Sequence, residues 1–246
     1  MDQAPIQAMS PSERLQQSLN ILGITLDESV RSGLLKFLEI LLRENEKINL
    51  TAIKTLDEGI SKHLVDSLSA LTLNLGPNQQ WLDLGSGGGL PGMALAIARP
   101  DLSMTLVEST KKKAFFLSLA AAELGIAKRV KILPERAEIL GQGALREKFD
   151  VITCRALGRL NIVLELAIPL LKVGGKLIAY KGPKADEEIA EAAKALKVLQ
   201  CKTPEKKVFT LPFLDETRTL VVIEKMGLSP RQYPRLPGTP AKEPIL

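Results

Sequence analysis

Two cysteines and one histidine in 246 residues leave this chain little soft-ligand or redox chemistry. Cys154 and Cys201 lie far apart, and with only His63 to join them neither a zinc site nor a disulfide framework is expected. Aromatic residues make up 4% of the chain, too few for a platform that stacks successive bases of a single strand. Long apolar runs are also missing. The longest, Ile162 to Leu171, is broken by Glu165 and Pro169, so no membrane span is expected. Met1 to Arg14 is polar and lacks the apolar stretch of a secretory leader, which points to the cytoplasm. Charge of one sign is only mildly in excess. A net charge of +5 favours a polyanionic partner without identifying it.

What the chain does contain is a glycine loop. Trp81-Leu-Asp-Leu reads as a buried strand that runs into glycines at alternate positions, Gly85, Gly87 and Gly89, where the missing Cβ admits a ligand close to the backbone. A helix should follow, with Pro91 at its first position. After a second apolar run comes Glu108, placed at a strand end where a carboxylate accepts both hydroxyls of a ribose. Gly87-x-Gly89-x-x-Gly92 formally fits the dinucleotide fingerprint, which would suggest a nicotinamide cofactor. Asp83 argues otherwise. It makes the segment Asp-x-Gly-x-Gly-x-Gly, the pattern of methyltransferases that use S-adenosylmethionine; a carboxylate there suits the cofactor's ammonium group and would repel a pyrophosphate.

Helical and strand patterns then order the rest. Thr25-x-x-Glu28 and Thr55-x-x-Glu58 read as capping boxes opening two helices with leucine stripes, so residues 1–76 form an N-terminal helical extension packed on the main domain. Residues 77–226 alternate strands and helices. Strands are expected at Trp81–Leu84, Met104–Val107, Val130–Leu133, Phe149–Thr153, Lys176–Tyr180, Lys207–Thr210 and Thr219–Lys225, the first five parallel and the last two a hairpin. The fold class is therefore α/β, a doubly wound, mostly parallel seven-stranded sheet. Residues 227–246 hold five prolines and read as an irregular basic tail.

With these residues in view, the chain from about Leu41 onward resembles the bacterial small-subunit ribosomal RNA guanine-N7 methyltransferases, also called glucose-inhibited division protein B. The resemblance is carried by Asn49-Leu-Thr-Ala-Ile53, His63-x-x-Asp-Ser-Leu68, the Asp83–Gly92 loop and Val107-Glu-Ser109. Arg136-Ala-Glu138, Cys154-Arg-Ala156, Lys181-Gly182 and Tyr233-Pro-Arg-x-Pro-Gly238 add to it. The resemblance implies a class I fold, S-adenosylmethionine as cofactor, and small-subunit ribosomal RNA or a ribosomal particle as the partner of a monomeric enzyme. By the same resemblance Gly85 and Leu90 line the cofactor's methionine end, and Glu108, Ser109 and Thr110 hold its ribose. Ala137 and Glu138 bracket the adenine through a backbone N–H and a carboxylate, and Arg155 stands beside the transfer centre.

Guanine N7 carries an in-plane lone pair and no proton, so attack on a sulfonium methyl requires orientation and no general base. The Asp/Asn-Pro-Pro-aromatic motif of exocyclic-amine methylation is absent, with Thr153-Cys-Arg155 standing at that strand end. Cys154 falls within a buried strand and reads as a small hydrophobe. Arg155 is the candidate catalytic residue. Its useful partners are the cofactor carboxylate or an RNA phosphate, and its alternative is a salt bridge anchoring the strand end. His63, Lys181, Arg231 and Arg235 are candidate substrate contacts; for His63 a hydrogen-bonded structural role is the alternative. Lys111–Lys113 is either a solvated face or a guide for phosphates. Two other functions stay open on the residues alone: methylation of a protein or small molecule, and an RNA-binding assembly factor without turnover.

Overall fold

The computed structural model describes residues 9–246. The reading of a leader-free start falls largely on residues outside that range. In chain order the helices are α1 (Pro11–Ile21), α2 (Glu28–Ile48), α3 (Leu56–Gly59), α4 (Asp66–Leu68), α5 (Gly92–Ala98), α6 (Lys111–Glu123), α7 (Ala137–Gln142), α8 (Leu160–Ala167), α9 (Ala185–Glu191), α10 (Ala193–Val198) and α11 (Thr239–Lys242). A π-helical segment, Ile60–Val65, joins α3 to α4.

The strands are β1 (Gln80–Leu84), β2 (Ser103–Val107), β3 (Val130–Leu133), β4 (Phe149–Arg155), β5 (Leu171–Lys181), β6 (Glu205–Thr210) and β7 (Thr217–Glu224). They form one sheet in the order β3-β2-β1-β4-β5-β7-β6. The first five run parallel, and β7 is antiparallel to both β5 and β6. The expected α/β class and mostly parallel seven-stranded sheet are thus borne out. Order reverses between β1 and β4, because connections from β1 proceed to one side and those after β3 cross to the other. At such a switch point the loops leaving the strand ends diverge and open a crevice.

Near-continuous apolar runs in β1, β2 and β4 follow from burial on both faces. One face is covered by α1, α2, α5 and α6, with Leu34, Phe37 and Leu38 in the same cluster as Met93, Leu95 and Leu117. Helices α8 and α10 cover the other, where Leu160, Leu164 and Leu199 meet Leu82, Ile152 and Leu177.

Three local expectations are corrected. The Thr25 box does not form: α2 begins at Glu28 with Asp27 as its N-cap, so Thr25 lies too far from the first turn. A capping box forms instead at α1, where Ser10 Oγ accepts from the Glu13 N–H and the Ser10 N–H donates to Glu13 Oε2 at 2.8 Å. Pro91 sits at the N-cap of α5, one residue before the first helical position. The tail is not irregular throughout either, since it ends in α11 and seats Ile245 in the second core cluster.

Candidate cofactor cleft and transfer centre

A cleft of about 200 Å³ opens at the C-terminal ends of β1 and β2. Gly85 and Ser109 line it from these strand ends, Ala137 and Glu138 from α7, Leu157 from the loop after β4, and Pro240 with Ala241 from α11. Gly85 has φ +71°, and a Cβ there would fall 2.5 Å from Leu157 Cδ1. Only glycine fits that turn and leaves the cleft open. Ala156, with φ +55°, takes the left-handed conformation that turns Leu157 toward Gly85.

Two acidic residues end neighbouring strands and do different work. Asp83 is fully buried, its Oδ1 accepting from Thr153 Oγ1 at 2.8 Å and its Oδ2 from the Gly92 N–H at 3.1 Å. Burial pushes its carboxyl up to about 6, against the pull of those donors. The sequence assigns Asp83 to the cofactor's ammonium group; here its side chain ties β1 to β4 and to the start of α5, beneath the loop, and does not line the cleft. Glu108 accepts from the Gly87 N–H at 2.9 Å and from the Thr110 N–H at 2.7 Å. It spans the glycine loop and the start of α6, next to Ser109 in the cleft wall.

At α7 the N–H of Ala137 occupies the first helical position, where no intrahelical acceptor exists. Glu138, 2% exposed, accepts from Arg136 and from the Gly238 N–H. Burial works to raise its carboxyl, but the guanidinium and the amide outweigh this and hold it below the usual range. Leu90 packs in the first core cluster beneath the loop, away from the cleft wall.

Beyond the cleft, the two histidine-side motifs meet. Thr51 Oγ1 lies 2.6 Å from His63 Nε2. His63 Nδ1 is 3.2 Å from Lys62 O and 3.4 Å from Arg155 Nη2, contacts that require opposite protonation at Nδ1. Either tautomer keeps the Thr51 bond, because a hydroxyl both donates and accepts. Burial, then the charge of Arg155, depress the imidazole to about 4, so it is neutral near pH 7. Arg155 Nη1 donates to Asp66 Oδ2 at 2.9 Å and to Lys62 O at 3.0 Å. Arg218 approaches the other Asp66 oxygen at 3.7 Å.

Comparison with known proteins gives this arrangement a family. Residues 31–219 match the family model described as rRNA small subunit methyltransferase G. The chain belongs to this family. It is 42% identical over 233 residues to the Ribosomal RNA small subunit methyltransferase G of Alkaliphilus metalliredigens, covering 94% of this chain and 97% of that one. The protein of the same name from Geobacillus kaustophilus is 41% identical, with 94% and 98% covered. Among solved structures, a SAM-dependent O-methyltransferase from Thermotoga maritima shares the fold at TM-score 0.52 and 16% identity, over 77% of this chain and 72% of that one.

Within the family framework the remaining sequence-derived candidates sort by partner. Lys181 donates to Glu188 and to Gly158 O, both at 2.7 Å, with its side chain 8% exposed. It fastens the loop after β4 and presents no free ammonium. Arg235, expected as a substrate contact, is chelated by Glu165 through Nε and Nη2. Arg231, Lys111 and Lys112 are exposed. Cys154 is buried, and its thiol is pushed up to about 12 by that burial. Among the described residues no group of His, Cys, Asp and Glu could hold a metal, and no helix is long and apolar enough to cross a membrane. The Asp66–Arg155 pair, the Thr51–His63 bond and the tail wall of the cleft escaped the sequence reading. The first two had a signal, in the alternatives of a salt bridge for Arg155 and a hydrogen-bonded structural role for His63; the tail wall had none.

Proposed function

We propose that the chain transfers a methyl group from S-adenosylmethionine to N7 of a guanine in small-subunit ribosomal RNA. The observation that carries this reading is family membership over the whole catalytic domain, at about 40% identity to full-length relatives named for methylation of small-subunit ribosomal RNA. The cleft's residues fit the cofactor. Glu108 is set to accept the ribose hydroxyls, the free Ala137 N–H and the Glu138 carboxylate to meet the adenine edge, and Gly85 to let the chain of the methionine moiety pass. The bound cofactor supplies an electrophilic methyl group on a sulfonium.

The protein's own part is orientation. Guanine N7 has a lone pair ready for in-line attack, and holding two reactants in line supplies on the order of 7–11 kcal/mol. No side chain need remove a proton, which accords with a His63 that is neutral, buried and bonded to Thr51. Arg155 stands at the end of β4 with Asp66 setting its direction, so its remaining N–H groups are available to a phosphate or to the cofactor carboxylate. RNA on the exposed Lys111–Lys112 and Arg231 surfaces completes the picture.

Incubation with methyl-labelled cofactor and fractionated cellular RNA tests the reading. Label should enter small-subunit RNA from cells lacking the protein and be recovered as N7-methylguanine. Label in protein or in small molecules, or at another guanine atom, would reject it.

A further inference from the structure

The C-terminal tail bears on the cofactor cleft in a way that neither its composition nor the methyl-transfer reading accounts for. Its backbone is fastened to the main domain at several places. Arg146 donates to Tyr233 O and to Ser229 O, each at 2.7 Å, and Gln142 Nε2 donates to Pro234 O at 2.8 Å. Pro234 also lies so close to α7 that a Cβ on Gly141 would come within 2.8 Å of its ring.

The next fastening is the strongest. Glu165 of α8 is fully buried and takes three hydrogen bonds from Arg235: Nε at 2.8 Å and the backbone N–H at 2.9 Å to Oε1, and Nη2 at 2.6 Å to Oε2. A bidentate guanidinium on a buried carboxylate fixes orientation as well as position. Then comes Gly238, with φ +86°, whose N–H donates to Glu138 Oε1 at 2.9 Å. The left-handed turn at Gly238 starts α11 and delivers Pro240 and Ala241 to the cleft. Glu138 is thus shared, since the same buried carboxylate lines the cleft and anchors the tail.

We propose that residues 235–241 form part of the cofactor site. Pro240 and Ala241 supply apolar surface against an adenine nucleoside, and Arg235 with Glu165, and Gly238 with Glu138, act as positioning residues that hold that surface in place. The proposal rests on the reading of the cleft as the seat of the adenosyl group. Because the tail and the ligand share Glu138 and a wall, docking of one strengthens docking of the other, and the coupling is reciprocal. Arg235 of the tail then serves the cofactor first.

Three measurements on the full chain, with S-adenosylhomocysteine as the probe, decide the matter. In the wild type, hydrogen exchange of amides 236–243 should slow by at least threefold when the probe binds, together with those of the glycine loop and α7. Ala241→Leu, which projects a larger side chain into the cleft, should raise the calorimetric Kd at least tenfold. Arg235→Gln should raise it at least threefold while the KM for RNA stays unchanged. If the glycine loop is protected but the tail is not, and both variants bind the probe as the wild type does, the proposal is overturned. Arg235→Gln that raises the KM for RNA and leaves the Kd alone would make the tail an RNA contact instead. A wild type that does not bind the probe at all would remove the cofactor reading of the cleft, and the proposal with it. Should either variant fold poorly, exchange in the wild type decides alone: slowed tail amides support the proposal, and unslowed ones beside a protected glycine loop reject it.

Discussion

The glycine loop after β1 and the tail after β7 line one cleft, yet they are held there by different kinds of contact. The loop is fixed mainly from nearby in sequence, with one long-range bond from Thr153 Oγ1 to Asp83. Asp83 receives an N–H from a residue 9 positions on, and Glu108 receives one from a residue 21 positions back. The tail is fixed from far away, by Glu165 at a separation of 70 and Glu138 at a separation of 100. A loop pinned mainly by its own flanking strands exists once β1, β2 and β4 pair. A tail pinned by buried carboxylates on α7 and α8 exists only when the domain has already closed. The first should therefore behave as part of the core, and the second as an attachment whose loss the core survives.

The most damaging test falls on the loop. Asp83→Ala would leave Thr153 Oγ1 and the Gly92 N–H buried without an acceptor, and each stranded group costs about 1–3 kcal/mol. A loss of about 3–5 kcal/mol in urea unfolding, at unchanged m-value, is expected. Asp83→Asn keeps an acceptor and the shape, and should lose about half as much or less. Near equality of the two variants would mean that shape, and not hydrogen bonding, holds the loop.

Arg235→Ala makes the corresponding cut in the tail. Removing one partner of a buried pair typically costs about 3–5 kcal/mol, but Arg235 is 28% exposed, so about 2–3 kcal/mol is expected. For a chain of this size that lowers Tm by roughly 5–10 °C, with the transition still cooperative. An unchanged Tm would show that the tail is not latched in solution, and the contrast with the loop would become one of order against mobility.

The same contrast explains what could be read from the residues in order. Strand apolarity, the Asp83–Gly92 spacing and the position of Glu108 are local patterns, and local patterns place β1, the loop and β2 without knowledge of anything distant. Arg235 and Lys181 carry no such mark. Arg235 has a sequence-neutral partner, Glu165, whose proximity arises only when the domain packs, and Lys181 meets Glu188, seven positions on, across the turn from β5 into α9. A basic residue in a proline-rich segment looks solvated until a buried carboxylate is found under it. Asp83 shows the limit even of a strong motif: the spacing identifies the site, while the side-chain direction within a strand decides that this carboxylate supports the loop from below. Thr25 fails for a smaller reason, since Asp27 can also begin the helix and stands two residues closer.

The His63 cluster lies beyond the cleft, and its pH response adds a test of the core. The folded imidazole sits at about 4, below the ordinary value near 6.5 that it takes in the unfolded chain. Above that ordinary value both states are neutral and the ring adds no pH dependence. As pH falls toward 4 the unfolded chain binds a proton that the folded chain refuses, so stability is lost at about 1.4 kcal/mol per unit. Asp83 works in the opposite sense, because its folded value of about 6 is raised: the stability that protonation contributes is present at low pH and is lost as pH rises through 6. The difference between the wild type and His63→Asn cancels Asp83. Between pH 7.5 and 4.5 that difference should move by about 2–3 kcal/mol in favour of the variant. A difference independent of pH would place a titrating imidazole in the open, where it could serve as a base.

The smallest change in stability belongs to Lys111 and Lys112, and it sharpens the comparison from the RNA side. Both are exposed at the start of α6, shortly after Ser109 of the cleft wall. Replacing either with alanine should alter stability by no more than about 0.5 kcal/mol, since no described hydrogen bond or ion pair of theirs is lost. If they contact phosphates, each substitution should nevertheless lower the slope of log K against log salt by somewhat less than about one, while S-adenosylhomocysteine affinity is untouched. Arg235→Gln should show the converse: an unchanged salt slope and weaker binding of the cofactor product. The pair of measurements assigns the basic residues on the loop side to RNA and that of the tail to the cofactor. A salt slope that falls with Arg235→Gln and ignores Lys111→Ala and Lys112→Ala would exchange the two assignments, and would make the long-range latch, not the short-range loop, the side from which RNA approaches.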